Sequence, residues 1–220
     1  EYRSLRLARN EISMAYRSAE QARWQQFDFI LGYKIKLSDS HPRYDICDDL
    51  AGDYPKDFKF RGWHPNCLCY TVPIVMSEDE YWSDNRENSP NKITAPPKNF
   101  GEWVDKAENL ERIGKANGKG TLPYWLRDNA KIKDCSVLMS KARAYGDAIQ
   151  KQAETIARKY NGTVTPINYK SFSSMYRKLN SEKDMLVSDI KDSVRNTIVV
   201  EKENIDSVVK ELQSLPTFDR

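Results

Sequence analysis

A dense cluster of histidine and cysteine residues constrains the fold of this chain more than any other feature. The sequence contains only two histidines and four cysteines among 220 residues. Five of these six side chains fall within residues 41–69, and they are His41, Cys47, His64, Cys67 and Cys69. Residues 62–70 alone read "GWHPNCLCY". Such a concentration of scarce thiol and imidazole groups predicts that they meet at one site.

The ligand chemistry of the cluster indicates a structural zinc site. Zn²⁺ prefers thiolate and imidazole ligands in a closed tetrahedron. We expect two ligand pairs separated by a loop, the first being His41 with Cys47 and the second Cys67 with either His64 or Cys69. Five candidates compete for four places, so at least one is not a ligand. Residues 38–73 are rich in turn residues and poor in apolar ones, and metal binding would supply much of their folding free energy.

Other interpretations of the cluster stay open. The cysteines can be buried free thiols, or two of them can form a disulfide. A catalytic zinc would need an open coordination position and a general base, for which Asp45 and Asp48 are close in sequence. A nucleic-acid-binding zinc module would place the arginines of residues 3–23 on phosphates, but a formal net charge of +3 is low for that role. Cys135 stands apart and is predicted to be an ordinary buried or free thiol.

Hydrophobic patterning predicts an α+β fold in three segments. Residues 1–90 form the first module, a small zinc-stabilised unit that begins with an amphipathic helix. Residues 91–135 form a helical connector. Residues 136–220 begin a unit of alternating helices and strands, as in an α/β nucleotidyltransferase-like domain. Residue 1 is Glu and the last unit is just beginning, so we expect a piece of a longer polypeptide.

The expected secondary structure follows from local periodicity and turn residues. Helices are predicted over 1–24, 100–116, 136–160, 171–182 and 204–215. Strands are predicted within 27–39, 163–169 and 194–200, and a loop over 83–98. The longest apolar runs are no longer than a strand, so we predict no transmembrane span. Clustered cysteines without a signal peptide favour a reducing compartment.

Three stretches of the first module resemble a known family. They are "RLARNEISMAYRSAE", "HPRYDICDDLAGDYP" and "GWHPNCLCYTVPI", in this order within residues 3–76. Together they resemble the Mu-F-like phage minor head proteins, also called phage head morphogenesis proteins. Arg9, Asn10 and Glu11 match the family's helical Arg-x-Glu pattern, and residues 64–69 match its His-Pro-Asn-Cys-Arg-Cys signature.

The chain departs from that family at two positions. Tyr44 stands near the place of the family's first cysteine, which makes the neighbouring His41 a substitute ligand. Leu68 replaces the arginine of the signature, so no role of that arginine carries over. The resemblance implies a virion protein in the capsid interior, present in the host cytoplasm during assembly or after ejection. It further implies head morphogenesis or DNA ejection, with the portal, other head proteins and packaged DNA as partners.

A second pattern lies within residues 140–215. Lys170, Ser174 and Lys178 are spaced four residues apart, and Asp192 precedes a predicted strand. Helix N-termini and cationic side chains favour phosphate, and a carboxylate can hold Mg²⁺ against it, although a solvated helix face with an ordinary cap gives the same spacing. The pattern resembles the start of the alarmone-synthetase (RelA/SpoT-like) nucleotidyltransferase domain.

The second resemblance implies an alternative function. The four residues would be catalytic, with Mg²⁺ and a nucleotide as cofactor and substrate, in a nucleotide pyrophosphokinase-type toxin delivered by the phage. The family's flanking residues are replaced by Asn168, Arg195 and Thr197. The later strands, which should carry a second acidic residue and a guanine-stacking aromatic, are not in these 220 residues. An enzymatic role is therefore expected only as a fused effector domain.

Overall fold

The computed structural model of the protein describes residues 2–83, 89–182 and 184–215. These residues have the predicted α+β fold. The helices are α1 (Tyr2–Trp24), α2 (Ile46–Leu50), α3 (Glu78–Tyr81), α4 (Lys98–Asp105), α5 (Ala107–Gly118), α6 (Tyr124–Arg127), α7 (Ala130–Lys159), α8 (Phe172–Ser181) and α9 (Ile205–Ser214). The strands are β1 (Ile30–Lys36), β2 (Gly52–Pro55), β3 (Tyr70–Val75), β4 (Thr163–Val164), β5 (Asn168–Tyr169), β6 (Val194–Arg195) and β7 (Ile198–Val199).

A three-stranded antiparallel sheet carries the first module, with β1 between β2 and β3. Tyr33 of β1 lies opposite Tyr54 of β2 and Pro73 of β3. Both tyrosines are buried, and the Tyr33 hydroxyl donates a hydrogen bond to the Phe58 carbonyl. The ring of Trp24, at the end of α1, lies 5.6 Å from the Tyr33 ring. The helix therefore ends against the sheet that follows it.

The later strands form two short antiparallel ladders, β4 with β7 and β5 with β6. The predicted single strand over 194–200 is therefore wrong. Its two ends pair with different partners, and the Thr197 carbonyl between them accepts from the Thr165 amide at 2.9 Å. The predicted strand over 163–169 is divided in the same way into β4 and β5.

Helix boundaries show a mixture of correct and wrong predictions. The helices predicted over 1–24, 171–182 and 204–215 are confirmed as α1, α8 and α9. The helix predicted over 100–116 is wrong in being continuous, because Lys106 has extended backbone between α4 and α5. The buried Asn109 side chain donates to the Trp103 carbonyl at 2.7 Å and holds this corner. The long helix begins at Ala130 and not at Ser136.

Two other expectations concern loops. Of the loop predicted over 83–98, residues 84–88 lie outside the described residues, and residues 89–97 contain neither helix nor strand. The turn-rich segment 38–73 contains more regular structure than its composition predicts, namely α2, β2 and the first part of β3. Gly52, Pro55 and Pro73 lie inside these short strands, whereas Pro42, Gly62 and Pro65 lie in the loops between the elements.

The helix α7 runs through the second half of the protein. Its 30 residues span about 45 Å at 1.5 Å per residue. Cys135 is buried near its start and Ile156 near its end. Between them, a Cβ at Gly146 would lie 1.8 Å from the Tyr169 hydroxyl oxygen. The ring of Tyr169 therefore packs directly on the helix at Gly146, and a larger side chain at this position would displace it.

One cluster of buried side chains includes residues from all three predicted segments. The Trp125 ring lies 5.8 Å from Trp63 and 5.7 Å from Phe100, and Phe100 lies 5.4 Å from Phe172. The division at residues 90 and 135 stays a prediction, but the core is continuous across both positions. Among the described helices, none is both long and apolar enough to cross a membrane, as the sequence predicts.

Candidate metal centre

The N-terminus of α2 positions the first thiol of the cluster. Asp45 caps this helix, and its Oδ1 accepts a hydrogen bond from the Cys47 amide at 2.7 Å. The Asp48 carboxylate accepts a hydrogen bond from the Asp45 amide at 2.8 Å, which completes a capping box. The reciprocal bonds fix the first turn, and the Cys47 side chain is fully buried beneath it.

A tight loop between residues 62 and 69 positions the other two thiols. Gly62 has φ +123°, and a Cβ there would lie 2.9 Å from the Arg17 guanidinium. Asn66 adopts the left-handed conformation with φ 57°, and its amide donates to Asn10 Oδ1 at 3.0 Å. Cys67 follows this turn, and Cys69 lies directly before β3. The pairing of β3 with β1 therefore anchors the end of the loop.

The three thiols converge in the interior. Cys47, Cys67 and Cys69 are buried, and their Sγ atoms lie within 4.8 Å of one another. The Cys47 and Cys67 Sγ atoms are 3.6 Å apart, too far for a disulfide, and all three cysteines are free. Two sulfur ligands of a tetrahedral zinc ion, each about 2.3 Å from it, lie about 3.8 Å apart. The sulfur atoms therefore have a spacing that suits a shared metal ion.

The thiols also perturb one another electrostatically. Hydrogen bonds from the Cys47 and Cys69 thiols hold the pKa of Cys67 well below its ordinary value. The hydrogen bond to Cys67 correspondingly raises the pKa of Cys47. Cys67 is therefore the thiol of the three that loses its proton most readily. A divalent cation would take the place of those shared protons.

His64 presents a ring nitrogen to the thiols. Its Nε2 lies 3.1 Å from Cys47 Sγ and 3.3 Å from Asp45 Oδ2. Its Nδ1 lies 2.9 Å from the Pro65 carbonyl oxygen, so Nδ1 donates there when it carries the proton. In the tautomer with the proton on Nδ1, Nε2 has a lone pair that can bind a metal ion. His64 is therefore oriented like a metal-binding imidazole whose second ring nitrogen is held by a backbone carbonyl.

His41 has a different environment. Its Nε2 lies 3.0 Å from Asp48 Oδ2 and 3.6 Å from Asp45 Oδ1. A ligand atom of His41 also falls within 4.8 Å of Asp45 and Cys47. Because carboxylates face Nε2, the ring acts here as a hydrogen-bond donor to the capping box. All five residues predicted as metal ligands thus lie together, but the two imidazoles have different partners.

The loop that carries two of the thiols (residues 62–69, the metal loop) and the residues just before it bury more apolar side chains than the sequence indicates. The rings of Tyr54, Phe58, Phe60 and Trp63 are buried beside the thiols. The Phe60 and Trp63 ring centroids are 5.0 Å apart, and those of Tyr54 and Phe58 are 4.5 Å apart. The expectation that this segment has few apolar residues to bury is wrong, because these four aromatic side chains, spaced singly among polar residues, face inward.

The residues predicted as catalytic in the second half also come together. The Lys170 ammonium donates to Asp192 Oδ2 at 2.6 Å, and the Lys178 ammonium lies 4.0 Å from Asp192 Oδ1. The hydrogen bond from Lys170 holds the pKa of Asp192 below its ordinary value. Ser174 lies in the first turn of α8, where its amide donates to the Ser171 hydroxyl at 3.3 Å.

An open cleft of about 620 Å³ lies beside these residues. We name it the basic cleft. Its lining includes Lys170, Ser174, Arg177, Lys178 and Arg195. Asp192 does not line it, because its carboxylate faces the two lysines. Lys178 and the two arginines therefore face the cleft, whereas the Lys170 ammonium and the predicted Mg²⁺ ligand Asp192 are engaged with each other in an ion pair.

We compared the chain with known proteins by sequence and by structure. No family model, curated protein or solved structure matches it. The functions considered below therefore depend on the sequence motifs and on the geometry of the two sites.

One important residue of the metal centre escapes sequence reasoning. The Arg17 guanidinium of α1 donates to the carbonyls of Arg61, Cys67 and Cys69, at 2.8, 2.6 and 2.8 Å. It also lies 5.4 Å from the centre of the Phe60 ring. Arginine at this position looks like any other cation of an amphipathic helix, because its partners lie at least 44 residues away in sequence.

Proposed function

We propose that this protein is a structural component of a phage head whose first module is held together by one zinc ion. The convergence of three buried thiols on one point carries the proposal. Cys47, Cys67, Cys69 and His64 would be the four ligands, because His64 Nε2 lies 3.1 Å from Cys47 Sγ while its Nδ1 can donate to the Pro65 carbonyl. Three thiolates favour zinc over harder divalent cations.

The surroundings of the thiols support a structural role and not a catalytic one. Four protein ligands would fill a tetrahedral zinc ion and leave no position for water. The two carboxylates near the site already have partners, since Asp45 caps Cys47 and Asp48 binds His41 and the Asp45 amide. Neither carboxylate is therefore free to act as a general base at the metal.

The Arg17 guanidinium supports the same interpretation. One Zn²⁺ with three thiolates and one neutral imidazole has a net charge of −1, and burying that charge is costly without compensation. Arg17 supplies a positive charge directly beneath the loop and binds the carbonyls of two ligand residues. It would thus offset the negative charge of the site and orient Cys67 and Cys69, as outer-shell groups do in zinc proteins.

The assignment to a phage head depends on the three motifs that resemble the Mu-F-like minor head proteins. Those motifs contain α1, the capping box with Cys47, and the loop with the other two thiols. All three stretches meet at the proposed zinc site, although up to 52 residues separate the bonded positions. If all three motifs serve to build the zinc site, this shared structural role would explain why they occur together in one chain.

Metal analysis tests the zinc proposal. We expect one zinc per chain in the purified protein, and we expect Cys67→Ser to lose it. The Tm of Cys67→Ser should fall by roughly 5–10 °C, the shift expected for a loss of about 2–3 kcal/mol in a domain of this size. Cys135→Ala is the matched control, since Cys135 is equally buried but lies in α7 away from the cluster. Its zinc content should be unchanged.

Substoichiometric zinc, together with equal melting of Cys67→Ser and wild type in a chelator, would refute the structural zinc site. The head assignment has a separate test in purified phage particles. Quantitative mass spectrometry should find this chain at few copies relative to the major capsid protein. Its absence from particles that package DNA normally would contradict the assignment.

A second candidate function, nucleotide binding in the second half, is favoured by the basic cleft. Lys170, Lys178 and two arginines line one open cleft, as phosphate recognition requires. Incubation of the full-length protein with ATP, GTP and Mg²⁺ would test for pyrophosphate transfer. Product that disappears in Lys170→Ala would support an enzyme; no product from either protein would leave α8 as a structural helix with a solvated basic face.

A further inference from the structure

The first helix exposes a row of apolar side chains that the protein's own core does not cover. Tyr2, Leu5, Ile12 and Tyr16 are 77%, 52%, 69% and 68% exposed. The helix contacts the rest of the protein through another face, which includes the buried Met14 and Trp24. The predicted amphipathic helix is thus confirmed, but much of its apolar face points away from the core.

These exposed residues follow the spacing of a coiled-coil seam. Tyr2, Leu5, Arg9, Ile12 and Tyr16 are separated alternately by three and four residues. This repeat places them along one line of the helix, with Arg9 as the polar member in the middle. A partner helix that packs here would meet apolar side chains on both sides of one guanidinium.

The loop of the metal centre forms the opposite wall of the same surface. A groove of about 950 Å³ runs between α1 and this loop. Its lining includes Leu5, Arg6, Arg9, Ile12 and Leu68. Leu68 stands between two of the thiols and is 49% exposed. Among the described residues that line the groove, two are arginines and none is acidic.

We propose that this groove binds an amphipathic helix of another protein, with an apolar seam and a carboxylate that pairs with Arg9. The apolar row accounts for the seam. The Arg9 guanidinium accounts for the acid, since the described lining of the groove contains no carboxylate. A second copy of this chain does not fit as well. Its seam contains no carboxylate, so Arg9 would meet either Arg9 or an apolar side chain. Duplex DNA would satisfy the arginines but leave Leu5 and Ile12 in water.

The inference rests partly on the proposed zinc site, because Leu68 takes its position from the loop that carries two of the ligands. The far wall of the groove should therefore depend on the metal, whereas the α1 wall should not. Removing zinc is expected to weaken binding of the helix without abolishing the helical structure of α1.

Two synthetic helical peptides serve as probes. Each has 21 residues with leucine at every seam position except the central one, which is Glu in the acidic peptide and Lys in the basic peptide. We expect the zinc-loaded full chain to bind the acidic peptide at least about tenfold more tightly at low salt, measured by fluorescence anisotropy. Arg9→Glu should reverse the preference, and circular dichroism would verify that α1 is intact.

A matched pair of substitutions tests the apolar contacts. Ile12→Ser should weaken binding of the acidic peptide by about tenfold, since one buried aliphatic side chain contributes on that order. Leu7→Ser is the control, because Leu7 is 62% exposed on the same helix but does not line the groove. Its binding should match that of the wild type.

Several outcomes would overturn the proposal. These are no binding of either peptide, equal binding of both, an unaltered preference in Arg9→Glu, a dimer in sedimentation that Ile12→Ser dissociates, or displacement of the acidic peptide by duplex DNA. Zinc content is measured on every sample. Stoichiometric zinc without peptide binding overturns the docking inference alone, whereas peptide binding with substoichiometric zinc overturns the zinc proposal alone.

Discussion

At the scale of single residues, the orientation of an imidazole ring decides its role. His64 directs Nε2 at Cys47 Sγ, and its other nitrogen faces the Pro65 carbonyl. His41 directs Nε2 at Asp48 instead. The sequence places both histidines near the thiols, but no pattern of residues states which nitrogen faces which atom. The choice between them is therefore a structural result.

Substitution of the two histidines should have unequal effects on zinc binding. We expect His64→Ala to lower the zinc affinity by more than about 100-fold, since it removes a direct ligand. His41→Ala should lower it by about tenfold, because outer-shell partners typically contribute 10- to 100-fold. Competition with a chromophoric chelator measures both. A larger loss in His41→Ala would instead make His41 the fourth ligand.

The ion pair in the second half predicts a pH dependence of stability. Lys170 lowers the pKa of Asp192 in the folded protein, so the stabilisation is present above the carboxyl's unfolded pKa of about 3.9. It is lost as the pH falls through the lower folded pKa. Asp192→Asn should therefore have a lower Tm than wild type at pH 7, and the difference should shrink below about pH 4.

Thermal melts of both proteins across the acid range would measure this difference. Asp147→Asn is the matched control, because Asp147 is an exposed carboxyl on α7. Its Tm should stay close to that of wild type throughout. A constant difference between Asp192→Asn and wild type from pH 7 to pH 2 would show that Asp192 acts through packing and not through its charge.

At the scale of elements, local periodicity predicts the elements that need no distant partner. The helices α1, α8 and α9 have regular apolar spacing, and their predicted extents hold to within two residues. The break at Lys106 and the division of residues 194–200 depend on distant contacts instead. Asn109 fixes the first, and separate pairing with β4 and β5 fixes the second. Such contacts leave no periodic signal in the chain.

The attachment of α1 to the metal loop should depend on Arg17. Replacing it with Met keeps an unbranched apolar side chain but removes the guanidinium above Phe60 and its three hydrogen bonds to carbonyls. We expect faster amide hydrogen exchange in residues 61–69 and about tenfold weaker zinc binding. Arg23→Met, an exposed arginine of the same helix, should change neither quantity. Unchanged exchange in Arg17→Met would mean that Asn10 and the sheet hold the loop alone.

At the scale of the whole molecule, the three predicted segments share aromatic side chains. Trp125 packs against Trp63 from the metal loop and Phe100 from α4, and Phe100 packs against Phe172 from α8. Composition shifts near residues 90 and 135 predict boundaries, but aromatic residues on either side cannot be matched by sequence alone. The location of the metal cluster was predictable because its residue types are rare; the shared core was not, because its residue types are common.

The shared core predicts one cooperative unfolding transition. Trp125→Ala should reduce the free energy of unfolding by about 3–5 kcal/mol, the usual cost of removing a buried tryptophan. Hydrogen exchange should give the same denaturation midpoint for residues 2–83 and residues 130–182. Circular dichroism of the whole protein should show one transition at that midpoint. Two separate midpoints, with only one of them moved by the substitution, would support independent domains with boundaries near 90 and 135.

The 30-residue helix α7 also limits how many residues can be inserted into it without displacing the side chains that follow. One residue inserted at its exposed centre, near Asp147, would turn everything that follows by about 100° and advance it by about 1.5 Å. Cys135 would keep its place in the core, but Ile156 would leave the face that β4 and α9 cover. Seven inserted residues complete almost two turns and restore that face to within about 20°. A seven-residue insertion should therefore disturb the face of Ile156 less than a single-residue insertion, but it advances the residues that follow by about 10.5 Å along the helix axis.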